Sequence, residues 1–211
     1  NDEPAVTESV IRSMTDVISH RGPDDQGVFI NASRKVALGH RRLSIIDLKT
    51  GNQPMSDAHD QIHIVFNGEI YNFRELRQDL MKRGHSFKTA SDTEVIIYVY
   101  KEYGVAGFEK LNGIFAFGIY DERDNTLVLA RDHFGVKPLY YTFQEKALVF
   151  ASEIKAILRY PDVRKEFDYE AFSTFLTFRY SPSPQTLLKG IRKLSPVHYL
   201  RIDTDGREET A

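Results

Sequence analysis

The chain has 211 residues, 41% of them hydrophobic and 27% charged, with 28 Lys and Arg set against 30 Asp and Glu. That length supports one large domain burying about 70% of the surface its unfolded form exposes, and the composition excludes a disordered or collagen-like chain. A net charge of −2 argues against a dedicated nucleic-acid binder, and no apolar run reaches the roughly 18 residues of a membrane helix.

In chain order, Asn1 to Glu8 is polar, holds Pro4 and shows no signal-peptide pattern. Val10, Ile11, Met14, Val17 and Ile18 then recur at helical spacing and predict a helix over residues 7–19, stopped by Arg21-Gly22-Pro23-Asp24. Strand-like runs follow at Gly27–Ile30, Val36–Leu43 and Ile62–Phe66, around a polar stretch from Asp47 to Asp60. Asn72 with Glu75, and Ser91 with Glu94, have capping-box spacing and predict helices over Phe73–Arg83 and Asp92–Tyr103. Short strands come next at Gly113–Tyr120, Thr126–Ala130, Leu139–Phe143 and Leu148–Ala151. Ile114–Tyr120 has no polar alternation, as in a strand buried on both faces. A last helix over Tyr169–Phe178 precedes the Pro-rich Tyr180–Gln185, which reads as an exit from the domain, and a final strand at Val197–Ile202. Strands joined by turns, with helices before and after them, imply antiparallel meanders in a layered α+β sandwich.

Several segments carry chemistry-bearing residues. His20–Gly27 is dense in turn formers and taken alone is a helix-to-strand loop. Asn67-Gly68 is a strong hairpin signal, but Glu69-Ile70-Tyr71-Asn72 runs on into a helix start. At a strand end such a pair can aim a side-chain amide and a backbone N–H at one point, as an oxyanion hole requires. Arg41-Arg42 ends a strand; an exposed basic pair is the plain reading, and a guanidinium fork for a carboxylate the functional one. Asp92 is either a carboxylate favoured by a helix N-terminus or an acceptor for a substrate ammonium. His59 and His63 are four apart but on a strand, where that spacing does not converge on a metal. No metal site, phosphate loop or nucleophile elbow is expected. The chain holds no cysteine, which removes disulfides and thiolate chemistry from these residues and fits a reducing, cytoplasmic setting.

In order and spacing, His20–Gly27, Gly39-His40-Arg41-Arg42-Leu43-Ser44-Ile45-Ile46-Asp47, Asn67–Asn72, Ser91–Glu94 and Arg131–Tyr141 resemble the glutaminase domain of glutamine-dependent asparagine synthetases. Those are class II glutamine amidotransferases with the N-terminal-nucleophile fold. The resemblance runs from about Val6 to Leu200. It implies a four-layer αββα sandwich of antiparallel sheets over residues 1–200, with 201–211 beginning the connection to an ATP-dependent synthetase domain that adenylates aspartate.

The activity implied is hydrolysis of L-glutamine to glutamate and ammonia. By the same resemblance Arg42 holds the glutamine α-carboxylate, with the backbone at Ile45 and Ile46 beside it. Asn67 and Gly68 form the oxyanion hole, Glu69 and Asp92 surround the α-amino group, and Arg131–Tyr141 is scaffold. No cofactor is implied in this domain, ATP and Mg belonging to the synthetase domain; neither nucleic acid nor membrane is a partner, and a homodimer is admitted.

The family's nucleophile is a cysteine at the mature N-terminus, heading a short buried strand, with its own α-amino group as base. This sequence lacks it and should be inactive as written. Either the strand with its cysteine lies outside these residues, which the complete pocket set favours, or the chain is a non-catalytic module of the same fold. A glutaminase serving another acceptor is the further alternative.

Overall fold

The computed structural model describes residues 6–43, 51–145, 147–203 and 208–210. Helix α1 (Glu8–Asp16) starts at Thr7, whose hydroxyl accepts from the Val10 N–H, and a 3-10 turn follows at Ser19–Arg21. Strands β1 (Asp25–Ile30) and β2 (Ala37–Arg42) form a hairpin. Then come β3 (Met55–Ser56), β4 (Ile62–Ile70), α2 (Phe73–Lys82), α3 (Asp92–Tyr103) and a 3-10 segment, Gly104–Lys110. The second half contains β5 (Gly113–Asp121), β6 (Thr126–Arg131), β7 (Tyr140–Gln144), β8 (Ala147–Ala151), α4 (Ile154–Ile157), α5 (Tyr169–Phe178), β9 (Ile191–Lys193), β10 (Tyr199–Ile202) and β11 (Glu208–Thr210). No helix among the described residues is long and apolar enough to cross a membrane.

All pairings are antiparallel and the layers stack in the order helix, sheet, sheet, helix. A six-stranded sheet runs β11-β10-β6-β5-β4-β3. Its central strand β5 buries both faces, as its unbroken apolar sequence requires: Phe115, Phe117 and Ile119 pack under α3, while Ala116, Gly118 and Tyr120 face the second sheet layer. Helix α3 is buried nearly throughout, with Val95, Ile96, Ile97 and Val99 fully enclosed. The second layer comes in two pieces, β1-β2 and β8-β7-β9. Helices α1 and α4 cover both through Ile11, Met14, Ala156 and Ile157. Among the described residues, β2 pairs only with β1 and β8 only with β7, so each has one edge without a strand beside it.

Three sequence expectations change. Strand β4 does not end at Phe66 but continues through Asn67, Gly68 and Glu69 to Ile70, because β5 offers a partner at every position up to Gly113. The Asn-Gly pair therefore lies inside a strand. Neither capping box closes. Asn72 donates its amide to Lys110 O and accepts from the Asn112 N–H, stapling the start of α2 to the loop before β5. Glu94 accepts from the Lys88 and Thr89 N–H groups and the Thr89 hydroxyl, while Ser91 caps α3 through the Thr93 N–H. Finally, Tyr180–Gln185 is no exit: Pro184 O accepts from the Lys193 N–H, and the chain returns to add β9 to one sheet and β10 to the other.

Candidate functional site

The site is built on one edge of β4. Strand β3 pairs only with His63 and Ile64, so from Phe66 to Ile70 that edge has no strand beside it among the described residues. Phe115, opposite Gly68, turns its own N–H and C=O to Asp132. The Gly68–Phe115 pair thus exchanges no bonds, and Gly68 points its peptide groups at the open edge, as do Phe66 and Ile70. Side chains satisfy the two neighbours. Phe66 N–H donates to Gln53 Oε1 at 2.6 Å, Phe66 C=O meets His40 Nε2 at 3.2 Å, and Ile70 N–H donates to Asp92 Oδ2 at 3.0 Å. The Gly68 N–H between them has no partner among the described residues. Only glycine fits here: a Cβ would lie 2.1 Å from Ile114 O, at φ +157°.

Asn67 projects from the sheet face it shares with His63 and Val65, toward the β1–β2 hairpin, where Val65 packs on Leu38 and His63 stacks on Phe29. Its Nδ2 is buried without a hydrogen-bond partner among the described residues. From the opposing strand β2, Leu38, His40 and Arg42 share the face that looks at β4. Arg42 is buried and donates through Nη1 to Asn52 Oδ1 at 2.5 Å. Asp92, the first residue of α3, is also buried. Burial pushes its carboxyl above the usual range, the N–H groups of Ile70 and Thr93 oppose that, and the neighbouring Glu69 charge adds to it. Glu69 itself is exposed.

Arg42, Asn67, Gly68, Glu69 and Asp92 all line one cavity of about 690 Å³, which runs on between β2 and β8 beneath α1. Ile45 and Ile46 lie outside the described residues. The cavity wall thus carries a cation, two N–H donors without a partner among the described residues, and two carboxylates. Such a surface is complementary to an α-amino acid bearing a side-chain carbonyl.

Arg131–Tyr141 reaches the same cavity through Lys137 and Leu139, while Arg131 and Asp132 brace its loop. Asp132, fully buried, accepts from the N–H groups of Phe115, Phe134, Val136 and Lys137, and Arg131 donates to the carbonyls of Gly135, Lys137 and Leu194. Two site residues escaped the sequence reading. His40 sits inside a quoted motif and Gln53 in what reads as a polar loop, and both act on a strand edge that exists only once β3 stops short. Burial lowers the His40 pKa to about 4, and its Nδ1 is buried without a partner among the described residues.

A family model described as "Glutamine amidotransferase domain" matches residues 2–211. The chain is 43% identical over 196 residues to "Asparagine synthetase [glutamine-hydrolyzing] 3" of Bacillus subtilis, covering 92% of this chain and 32% of that protein. It is 42% identical over 205 residues to "Asparagine synthetase [glutamine-hydrolyzing] 1" of the same organism, covering 97% and 32%. The fold matches glutamine phosphoribosylpyrophosphate amidotransferase of B. subtilis with a TM-score of 0.66 at 21% identity, over 96% of this chain and 46% of that one. The chain spans about a third of the length of the curated relatives it matches.

The comparisons also correct the expected activity. The glutamine hydrolysis implied by the resemblance requires a thiolate to attack the amide carbon, and these 211 residues contain no cysteine. The chain described here cannot carry out that step: the expectation that it is inactive as written holds, and glutamine hydrolysis as its function is overturned. Without the nucleophile, but with the fold and 43% identity over 92% of its length, this chain belongs to the class II, N-terminal-nucleophile glutamine amidotransferase domains, homologous to those of glutamine-hydrolysing asparagine synthetases.

Proposed function

We propose that this chain is a non-catalytic amino-acid-binding module of the class II fold, which takes L-glutamine without hydrolysing it. The observation that carries the reading is the convergence of Arg42, Asn67, Gly68, Glu69 and Asp92 on one cavity in a chain without cysteine. In this reading the Arg42 guanidinium binds the α-carboxylate, Asp92 with Glu69 the α-ammonium, and Asn67 Nδ2 with the Gly68 N–H the side-chain carbonyl oxygen. As part of the same proposal, the module accompanies an ATP- and Mg-dependent synthetase-type domain in the cytoplasm, the amide acceptor not being confined to aspartate. The length of the relatives supports such a companion.

The test is calorimetric titration of this chain with L-glutamine, with D-glutamine as stereochemical control, followed by a glutamate assay on the mixture. Saturable one-site binding of L-glutamine, at least about tenfold weaker for the D form, with no glutamate released, is expected. No heat with L-glutamine, or glutamate accumulating in proportion to protein, overturns the reading.

A further inference from the structure

Among the described residues, two buried polar atoms in the cavity wall have no partner, and they are of opposite kind: Asn67 Nδ2 is a donor and His40 Nδ1 belongs to an imidazole. The residues that carry them are neighbours in the fold, because His40 Nε2 lies 3.2 Å from Phe66 O, the carbonyl of the peptide that leads into Asn67. A carbonyl only accepts, so Nε2 carries the hydrogen of that bond. In a neutral ring Nδ1 is then a bare acceptor. The ring stays neutral near pH 7 because burial, helped by the nearby Arg42 charge, outweighs the bond to Phe66 and the Asp25 charge. Capping Phe66 occupies one ring nitrogen and gives no reason for the other to be buried and unpaired.

A primary carboxamide has the pattern these atoms lack. Its oxygen accepts from Asn67 Nδ2 and the Gly68 N–H, and its NH2 donates to an acceptor alongside. We propose that His40 is a specificity residue: its Nδ1 accepts from the NH2 of the glutamine side chain and so sets the site for glutamine over glutamate. This rests on the binding reading above. The discrimination works in both directions. The carboxamide supplies a donor to an atom left unpaired in the free protein, whereas the second oxygen of a γ-carboxylate meets a lone pair at the same point. Sites built to bond a donor reject the analogue lacking it far more strongly than apolar pockets reject a missing methylene.

The experiment combines affinities with a direct view of the ring. Dissociation constants for L-glutamine and L-glutamate are measured on the wild-type chain and on His40→Phe, and the two ring nitrogens of His40 are followed by 15N NMR in the wild type. The proposal expects a preference for L-glutamine of at least about tenfold and its loss in His40→Phe, with L-glutamate affinity kept within about twofold. It also expects the Nδ1 resonance to move on saturation with L-glutamine, while Nε2 stays protonated throughout. A structural role alone would weaken both ligands together and leave Nδ1 unmoved. Equal wild-type affinities, or an unmoved Nδ1 at saturating L-glutamine, overturn the role of His40 and leave the binding reading standing; binding of neither amino acid removes both. The wild-type measurements decide the matter even where His40→Phe fails to fold.

Discussion

At the scale of single residues, the site combines groups held at some cost to the free protein. Asp92 is the clearest. Its carboxyl is buried with a raised pKa, so its favourable share of stability is complete at acid pH and is lost as the pH rises through the folded value. Asp92→Asn keeps an oxygen for the Ile70 N–H and removes the buried charge. The variant is expected to unfold at higher urea than wild type at neutral pH, while amino-acid affinity falls by about 10–100-fold. In the wild type, affinity is expected to fall on acidification at a higher pH than an ordinary exposed carboxylate would give, which titrations across pH would check. Gly68→Ala drives a methyl into Ile114 O and is expected to destabilise by about 1–3 kcal/mol in urea unfolding while abolishing amino-acid binding. The resemblance of their motifs singled out Arg42, Asn67-Gly68, Glu69 and Asp92, where residue type alone left plain readings open, and the fold brings the five to one cavity. His40 was not singled out, since its role depends on which ring nitrogen meets a carbonyl two strands away in the chain.

At the scale of elements, two buried carboxylates act as joints. Asp57, at the β3–β4 turn, bonds Lys101 of α3 at 2.7 Å and the N–H groups of Gln61 and Ile62, and its carboxyl is held below the usual range although burial opposes this. Lys101→Met leaves that carboxylate buried and unpaired; a loss of about 3–5 kcal/mol in urea unfolding is expected. Asp132 organises the loop between β6 and β7. Burial would raise its pKa, but four backbone donors outweigh that and lower it. Its contribution is therefore present above the unfolded value and lost as the pH falls through the folded one. The loop so braced carries Phe134, 87% exposed. Asp132→Asn is expected to make the Phe134–Gly135 bond the first site of chymotrypsin cleavage, which the wild-type bracing resists; mass mapping of early fragments would show it. The helix and strand bodies were legible from periodicity, since α3, β5 and α5 fall within a residue of their expected bounds. The ends were not. Local spacing suggested capping boxes, while Asn72 bonds the loop before β5 and Glu94 the Lys88–Thr89 segment leading into its own helix.

At the scale of the whole molecule, the layered sandwich follows from the alternation of helical and strand-like runs, and the pairing order does not. Nothing local in Tyr180–Gln185 says that the chain turns back to complete both sheets; that is decided by Lys193 meeting Pro184 and by β10 lying on β6. The two-piece layer has its own signature. Amides of β2 and β8 that point away from β1 and β7 are expected to exchange with deuterium orders of magnitude faster than those of β5, which are paired on both sides.

The facing edges of β2 and β8 also decide how the protein fails. An unpaired strand edge at the surface recruits other chains, and among the described residues two such edges are sheltered inside by α1 and α4. Lifting α1 with the β1–β2 hairpin uncovers both at once, on either side of the same opening, so that two partly opened molecules can exchange hairpins or cross-pair. Thermal aggregation should then be second order in protein and begin below the midpoint of global unfolding. Tethering α1 to α4 should suppress it without changing that midpoint by as much.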